Sequence, residues 1–267
     1  MSHSVSIKTT RPASSSMMAL IPAAVLACSL AFAGPSAATQ YFLKSNSMNT
    51  SRTAHINGPS GFHSYTYLAP IKFTAFEGTG ATGPSFNFLG FCVDIFHGIS
   101  LGTLNLKYDD NFDLTTNSKY LSNTPFAGGT SLSGQQKLQV GRLVNYGTLI
   151  YDQAPNTAVN INKLAALQGA VWQVINPGYA VTSGNGAVNS LIATYSGTNY
   201  NAALTGFGHV HSGITFITET EKYGTRSAHQ SFAIAAVPEP STWAVMILGF
   251  GLTGAVLRRR QFAMIGA

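Results

Sequence analysis

The sequence predicts an α+β domain: an antiparallel β-sandwich or open barrel with a helical insertion, flanked by an N-terminal signal peptide and a C-terminal membrane-spanning sorting helix. Two observations carry the domain's fold class. Strand-like runs at residues 64–76, 86–97, 210–218 and 231–237 enclose helix-like runs at 134–151, 158–175 and 186–195. Segregated strands and helices of this kind favour an antiparallel sheet over alternating βα units. A third observation concerns the chain ends, where basic residues flank apolar runs on both sides of a charge-poor middle.

The N-terminal end carries Lys8 and Arg11, then the apolar stretch 17–32 and the small-residue pattern Ala31-Phe32-Ala33. That is the layout of a secretory signal peptide. Cleavage after Ala33 defines a signal peptide 1–33, with Ala38 as the second choice. Val25-Leu26-Ala27-Cys28 is the alternative, a lipoprotein box, although the apolar run continues past Cys28. Residues 34–59 then read as an extension preceding a domain at 60–236.

Within that domain the strand-like runs are rich in aromatic and β-branched residues. In the helical run 158–175, Ile161, Leu164, Val171, Trp172 and Ile175 repeat at helical spacing. Asn176-Pro177-Gly178 should end that helix just after Ile175, because a residue before proline is driven out of the helical region. Gly128-Gly129, Pro155-Asn156 and Pro177-Gly178 mark turns.

Charge argues against a nucleic-acid partner. The chain has a net charge of +6, but five of its fifteen basic residues lie at the two ends, leaving ten against nine acidic residues in 34–240. No basic patch with interleaved aromatics remains. No cofactor is indicated. His209-Val210-His211 would set two imidazoles on one face of a strand, but no third metal ligand is indicated by spacing. Asp109-Asp110-Asn111-Phe112-Asp113 reads as a solvated turn, lacking the glycine and terminal glutamate of an EF-hand loop.

The C-terminal end is the most specific stretch. Pro238-Glu239-Pro240 precedes Trp243-Ala244 and an uncharged run to Leu257, and Arg258, Arg259 and Arg260 follow. At about 1.5 Å per residue the run reaches the lower limit of a membrane span, and the arginines mark its cytoplasmic side. An ordinary single-span anchor would share these features. The string resembles the PEP-CTERM sorting signal in its PEPxxWA variant. That resemblance implies an exosortase as partner, transient anchoring in the inner membrane, cleavage near the Pro-Glu-Pro box, and a final place on the cell surface or in an exopolysaccharide matrix. The sorting signal spans 237–260 and a short cytoplasmic tail 261–267.

Once Cys28 leaves with the signal peptide, Cys92 is the sole cysteine of an exported chain. An intramolecular disulfide is then excluded, and a free thiol would face an oxidising compartment. Cys92 lies in an apolar run that reads as a buried strand, where a structural core cysteine is the plain account. Gln168 falls on the apolar stripe of the helix at 158–175, where an unsatisfied amide would cost a few kcal/mol. Hydrogen bonds to backbone groups are one way to satisfy it.

Together, Phe91-Cys92-Val93 and Leu167-Gln168-Gly169-Ala170-Val171-Trp172 resemble the two motifs of the Cys-Gln thioester domains of Gram-positive surface adhesins, and Leu143-Val144-Asn145-Tyr146-Gly147 resembles that family's helix-ending segment. The resemblance implies an internal thioester between Cys92 and Gln168, covered by Phe91, Val171 and Trp172. It further implies single-use covalent attachment to a partner bearing an amine or hydroxyl, rather than enzymatic turnover. Two other readings stay open. A non-covalent matrix-structural or glycan-binding module would keep Cys92 as core, and exposed tyrosines or tryptophans forming a groove would mark it. A cysteine hydrolase would need a histidine beside Cys92, with His55, His63, His97, His209, His211 and His229 as candidates.

Overall fold

The computed structural model describes residues 40–48, 52–76, 83–102, 106–112, 132–219 and 229–236, together with Gly249, Phe250 and Thr253. The elements run β1 (Gln40–Met48), β2 (Thr53–Asn57), β3 (His63–Tyr67), β4 (Ile71–Phe76), β5 (Ser85–Cys92), β6 (Leu106–Phe112), α1 (Gly134–Gln153), α2 (Ala158–Ile175), β7 (Ala180–Ser183), α3 (Gly186–Ser196), β8 (Ile214–Glu219) and β9 (Phe232–Ala235). Strands come first and last with helices between, as the sequence predicts.

Six strands close into an antiparallel barrel in the order β1-β4-β5-β9-β8-β6, and β3-β2-β7 form a separate three-stranded sheet. Closure separates this architecture from the expected sandwich or open barrel. β1 and β6 make it, pairing with each other from Gln40↔Asp109 to Leu43↔Leu106. Neither strand is expected from the sequence: the extension at 34–59 supplies β1 to the barrel and β2 to the second sheet. Asp109-Asp110-Asn111, expected as a turn, lies in β6. These residue types disfavour strands, but tertiary pairing overrides so weak a preference. Tyr108, fully buried on the same strand, anchors it.

The run 64–76 divides into β3 and β4 at Leu68-Ala69-Pro70, because proline cannot donate to a ladder and is accepted at a strand's entry. β4 then alternates, with Ile71, Phe73 and Ala75 buried and their neighbours less so. Ser133 opens α1 with a capping box, accepting from Gln136 N–H while the Gln136 side chain accepts from Ser133 N–H. The Gln136 amide also donates to Val174 O at 2.7 Å, tying the start of α1 to the end of α2. Thr157 caps α2 and Asn185 caps α3. α2 ends at Ile175, and Gly178 adopts the left-handed φ of +98° that its turn requires.

α1 packs on β8 and β9, and α2 packs on α1, α3, β5 and β7. One continuous core joins barrel residues such as Phe73, Tyr108 and Phe232 to Leu143, Leu164, Leu167 and Val171 of the helices. The segment 143–147 is not a helix end but the middle of α1. A Cβ on Gly147 would lie 2.3 Å from Cζ of Phe91. The glycine admits the aromatic ring, so this position marks a close approach of helix and strand rather than a terminus.

His209 and His211 are not in a strand; they precede β8, with rings 5.5 Å apart and nearly perpendicular. No group of three metal-ligating side chains occurs among the described residues. The signal peptide, the Pro-Glu-Pro box, the arginine cluster and all of 243–257 except Gly249, Phe250 and Thr253 lie outside the described residues. Among those described, no helix is long and apolar enough to cross a membrane.

Candidate functional site

Cys92 is the last residue of β5, and the strand is supported unequally there. On one side β9 continues, with Cys92 opposite Phe232. On the other, β4 begins only at Ile71, opposite Gly90. Cys92 therefore reaches beyond β4, where its backbone groups need other partners.

Gln168 of α2 supplies them. Cys92 N–H donates to Gln168 Oε1 at 3.0 Å, and Gln168 Nε2 donates to Cys92 O at 2.8 Å. The side-chain amide thus does what a neighbouring strand's peptide group would do, across 76 residues of sequence. Gln168 is wholly buried and Cys92 nearly so. Without this bracket each orphaned backbone group would cost about 1–3 kcal/mol.

The sulfur has its own partner. Cys92 Sγ donates to Gln230 Oε1 at 3.1 Å, and Gln230 Nε2 donates to Asp94 O at 3.2 Å. Gln230 is held in turn by Tyr108, whose hydroxyl donates to Gln230 O at 2.9 Å, and by its own N–H, which donates to Gly98 O at 3.3 Å. Sequence reasoning missed Gln230. The available signal was a buried-strand run preceded by an amide of the same parity as Phe232 and Ile234.

Asp94 shapes the turn after β5. Its Oδ1 accepts from Phe96 N–H at 2.8 Å and His97 N–H at 3.3 Å, while Oδ2 engages His97 Nδ1. Burial pushes the Cys92 thiol well above its ordinary pKa, and the Asp94 carboxylate raises it further. A hydrolase nucleophile needs the opposite shift, from a base that takes its proton. His97 comes from the adjacent turn, but the hydrogen bond of Sγ goes to Gln230. His229 pairs with Glu219 at 2.9 Å, and His55 stacks near His63 with ring centroids 5.3 Å apart.

The residues expected as a cover separate into two groups. Val171 and Trp172 are buried on α2 beside Gln168. Phe91 is fully buried too, but successive strand residues face opposite ways, and its ring fills the space beside Gly147 of α1. It fastens α1 to β5. Trp172 Nε1 is buried without a hydrogen-bond partner among the described residues.

A cavity of about 620 Å³, bounded in part by β3, reaches Cys92. Cys92, Trp172 and Gln230 contribute to its lining, together with Ser64, Tyr65, Thr66 and Tyr67 of β3 and the turn from Ile95 to Leu101. Its volume lies within the usual range of small-ligand sites, roughly 300–1,000 Å³. Tyr65 and Tyr67 are 63% and 54% exposed, among the largest exposed apolar side chains described.

Residues 236–260 match the family model described as the PEP-CTERM protein-sorting motif. This covers the Pro-Glu-Pro box, Trp243-Ala244 and Arg258 to Arg260, and it implies export, membrane-associated sorting and an exosortase as processing partner. No curated protein and no solved structure matches the chain.

Proposed function

We propose that this is an exosortase-processed surface or matrix protein whose domain forms a Cys92–Gln168 thioester and joins itself covalently to a partner. The sorting motif at 236–260 supports the first part. The observation that carries the second is the bracket between Cys92 and Gln168 in a buried setting. Cys92 N–H already donates to Gln168 Oε1, the hydrogen bond needed where negative charge develops on the acyl oxygen.

For the thioester to form, Sγ must leave Gln230 and reach the amide carbon of Gln168, whose oxygen and nitrogen already lie against the Cys92 backbone. The S–C bond forms, the C–N bond breaks, and the thiol proton leaves with the nitrogen as ammonia. Two groups fixed on a packed strand and helix gain the effective molarity of an intramolecular reaction. Attack by a partner's nucleophile then transfers the acyl group and returns the thiol.

One observation favours the non-covalent module instead: both amide atoms of Gln168 and the sulfur of Cys92 already have hydrogen-bond partners. Intact mass separates the two. A thioester makes the mature protein lighter by about 17 Da, the ammonia expelled when a thiolate is acylated. The deficit vanishes in Cys92→Ala and Gln168→Ala. Full sequence mass before any amine is added, with one thiol titrating once the protein is unfolded, would make the non-covalent reading the better one.

A further inference from the structure

We propose that the cavity beside Cys92 is an acceptor site for an uncharged polysaccharide, which presents one sugar hydroxyl to the Gln168 acyl carbon. The proposal rests on the thioester reading and names its substrate class.

Among the described residues, the lining holds no lysine, arginine, aspartate or glutamate. A lysine side chain or other cation entering it would leave its charge in a partly apolar space without a carboxylate from the lining to pair with. Asp94, at the start of the turn that lines the cavity, gives both carboxylate oxygens to that turn and to His97. An ammonium is also a poor nucleophile, since only about one lysine in two thousand is unprotonated at neutral pH. A sugar hydroxyl is itself a weak nucleophile, but being uncharged it enters without the cost of burying an unpaired charge.

The walls suit such a ligand. Tyr65 and Tyr67 are alternate residues of β3, so their rings lie on one face roughly 7 Å apart along the strand. Exposed rings at that spacing offer apolar faces to sugar rings and hydroxyls to their polar edges. Ser64 and Thr66, which also line the cavity, face the other side of β3, opposite Ile56 and Ala54, and add neutral hydroxyls there, while the Tyr65 ring packs beside His55 at 4.9 Å. β3 is the outer strand of its sheet, in the order β3-β2-β7, so a long chain can pass over it.

The transfer balances. The sugar oxygen bonds to the Gln168 acyl carbon, the C–S bond breaks, and the hydroxyl proton goes to the departing sulfur. The buried sulfur holds that proton firmly, because burial and Asp94 both disfavour the thiolate. The products are a sugar ester on residue 168 and a free Cys92 thiol.

The test offers the mature wild-type protein glucan, mannan and galactan hexasaccharides against N-acetyl-lysine amide at equal concentration, and reads the adducts by mass. A sugar ester should predominate over the lysine amide by at least about tenfold, and Tyr65→Ala or Tyr67→Ala should reduce sugar capture about tenfold, the scale of one aromatic contact. These exposed substitutions should leave the ammonia deficit in place. Sugar binding is measured separately by NMR in Cys92→Ala, with Cys92→Ser as a second variant, where no thioester can form. Binding of none of the hexasaccharides, or faster capture of lysine than of sugar by protein that shows the mass deficit, would overturn the acceptor assignment and leave the thioester standing. Absence of the mass deficit with tyrosine-dependent sugar binding would instead sink the thioester and retain the sugar site.

Discussion

Gln168 holds Cys92 by its backbone, accepting from its N–H at 3.0 Å and donating to its carbonyl at 2.8 Å. A helix side chain thereby continues a sheet at the point where β4 stops. This relationship serves structure whether or not a covalent bond follows, so its removal should be costly in either case.

Gln168→Leu should lower stability by about 2–4 kcal/mol, because two buried backbone groups lose their partner. Gln168→Glu should be pH-dependent. Burial raises the folded-state pKa of a glutamic acid above its unfolded value of about 4.3, so the folded state retains a proton that the unfolded state loses. Stability of this variant should therefore fall as pH rises above about 4.3, while the protonated acid at lower pH can still donate to Cys92 O. Urea melts at a series of pH values check both, and a flat profile for Gln168→Glu would show that the carboxyl escapes to solvent.

Where the Cys92 thiol is free, it should resist alkylation at neutral pH in the folded protein. Burial and Asp94 raise its pKa, and the sign follows from linkage: the folded state keeps a proton that the unfolded state releases above about pH 8.5. Stability should decline as pH rises through that region, at up to about 1.4 kcal/mol per pH unit from this group. Cys92→Ala should flatten the decline, as read by denaturant melts between neutral and alkaline pH.

Gln230→Leu should destabilise by about 1–3 kcal/mol, since Cys92 Sγ and Asp94 O both lose a buried partner. Tyr108→Phe should cost about 1 kcal/mol through its bond to Gln230 O. In a double-mutant cycle the two should couple, since both hold the same residue. Strict additivity would separate Tyr108 from the sulfur site.

Gly147→Ala should destabilise although alanine favours helix, because its Cβ would meet Phe91 at 2.3 Å. Overpacking of about 1–3 kcal/mol outweighs a propensity gain of about 1. Phe91→Leu in the same chain should recover part of the loss. A stabilised Gly147→Ala would mean that the ring moves aside freely.

Substituting Glu239 or both Pro238 and Pro240 should leave a larger species in the membrane fraction, since residues 236–260 match a sorting motif. Release of wild-type-sized protein from these variants, seen on immunoblots of cell fractions, would contradict exosortase processing at this segment.

The sequence alone determined what short-range chemistry controls. The limits of α2 were legible because its apolar spacing is local and Asn176-Pro177-Gly178 forbids its continuation. The sorting tail was legible because proline, tryptophan and arginine succeed one another within a short string. Gln168 stood out as a polar residue on an apolar stripe, and the structure brings it to Cys92. Only the tertiary structure decided the rest. Closure of the barrel depends on β1 meeting β6, and Asp109-Asp110-Asn111 carries little strand preference of its own. Gln230 reaches Cys92 from 138 residues away, with no spacing rule linking them. Gly147 lies inside a predicted helix, and the family resemblance alone marks it as part of a helix-ending segment; its role shows only where Phe91 occupies the place of its missing side chain. Each of these depends on which distant surfaces meet, and meeting is set by burial of the whole core rather than by any neighbour along the chain.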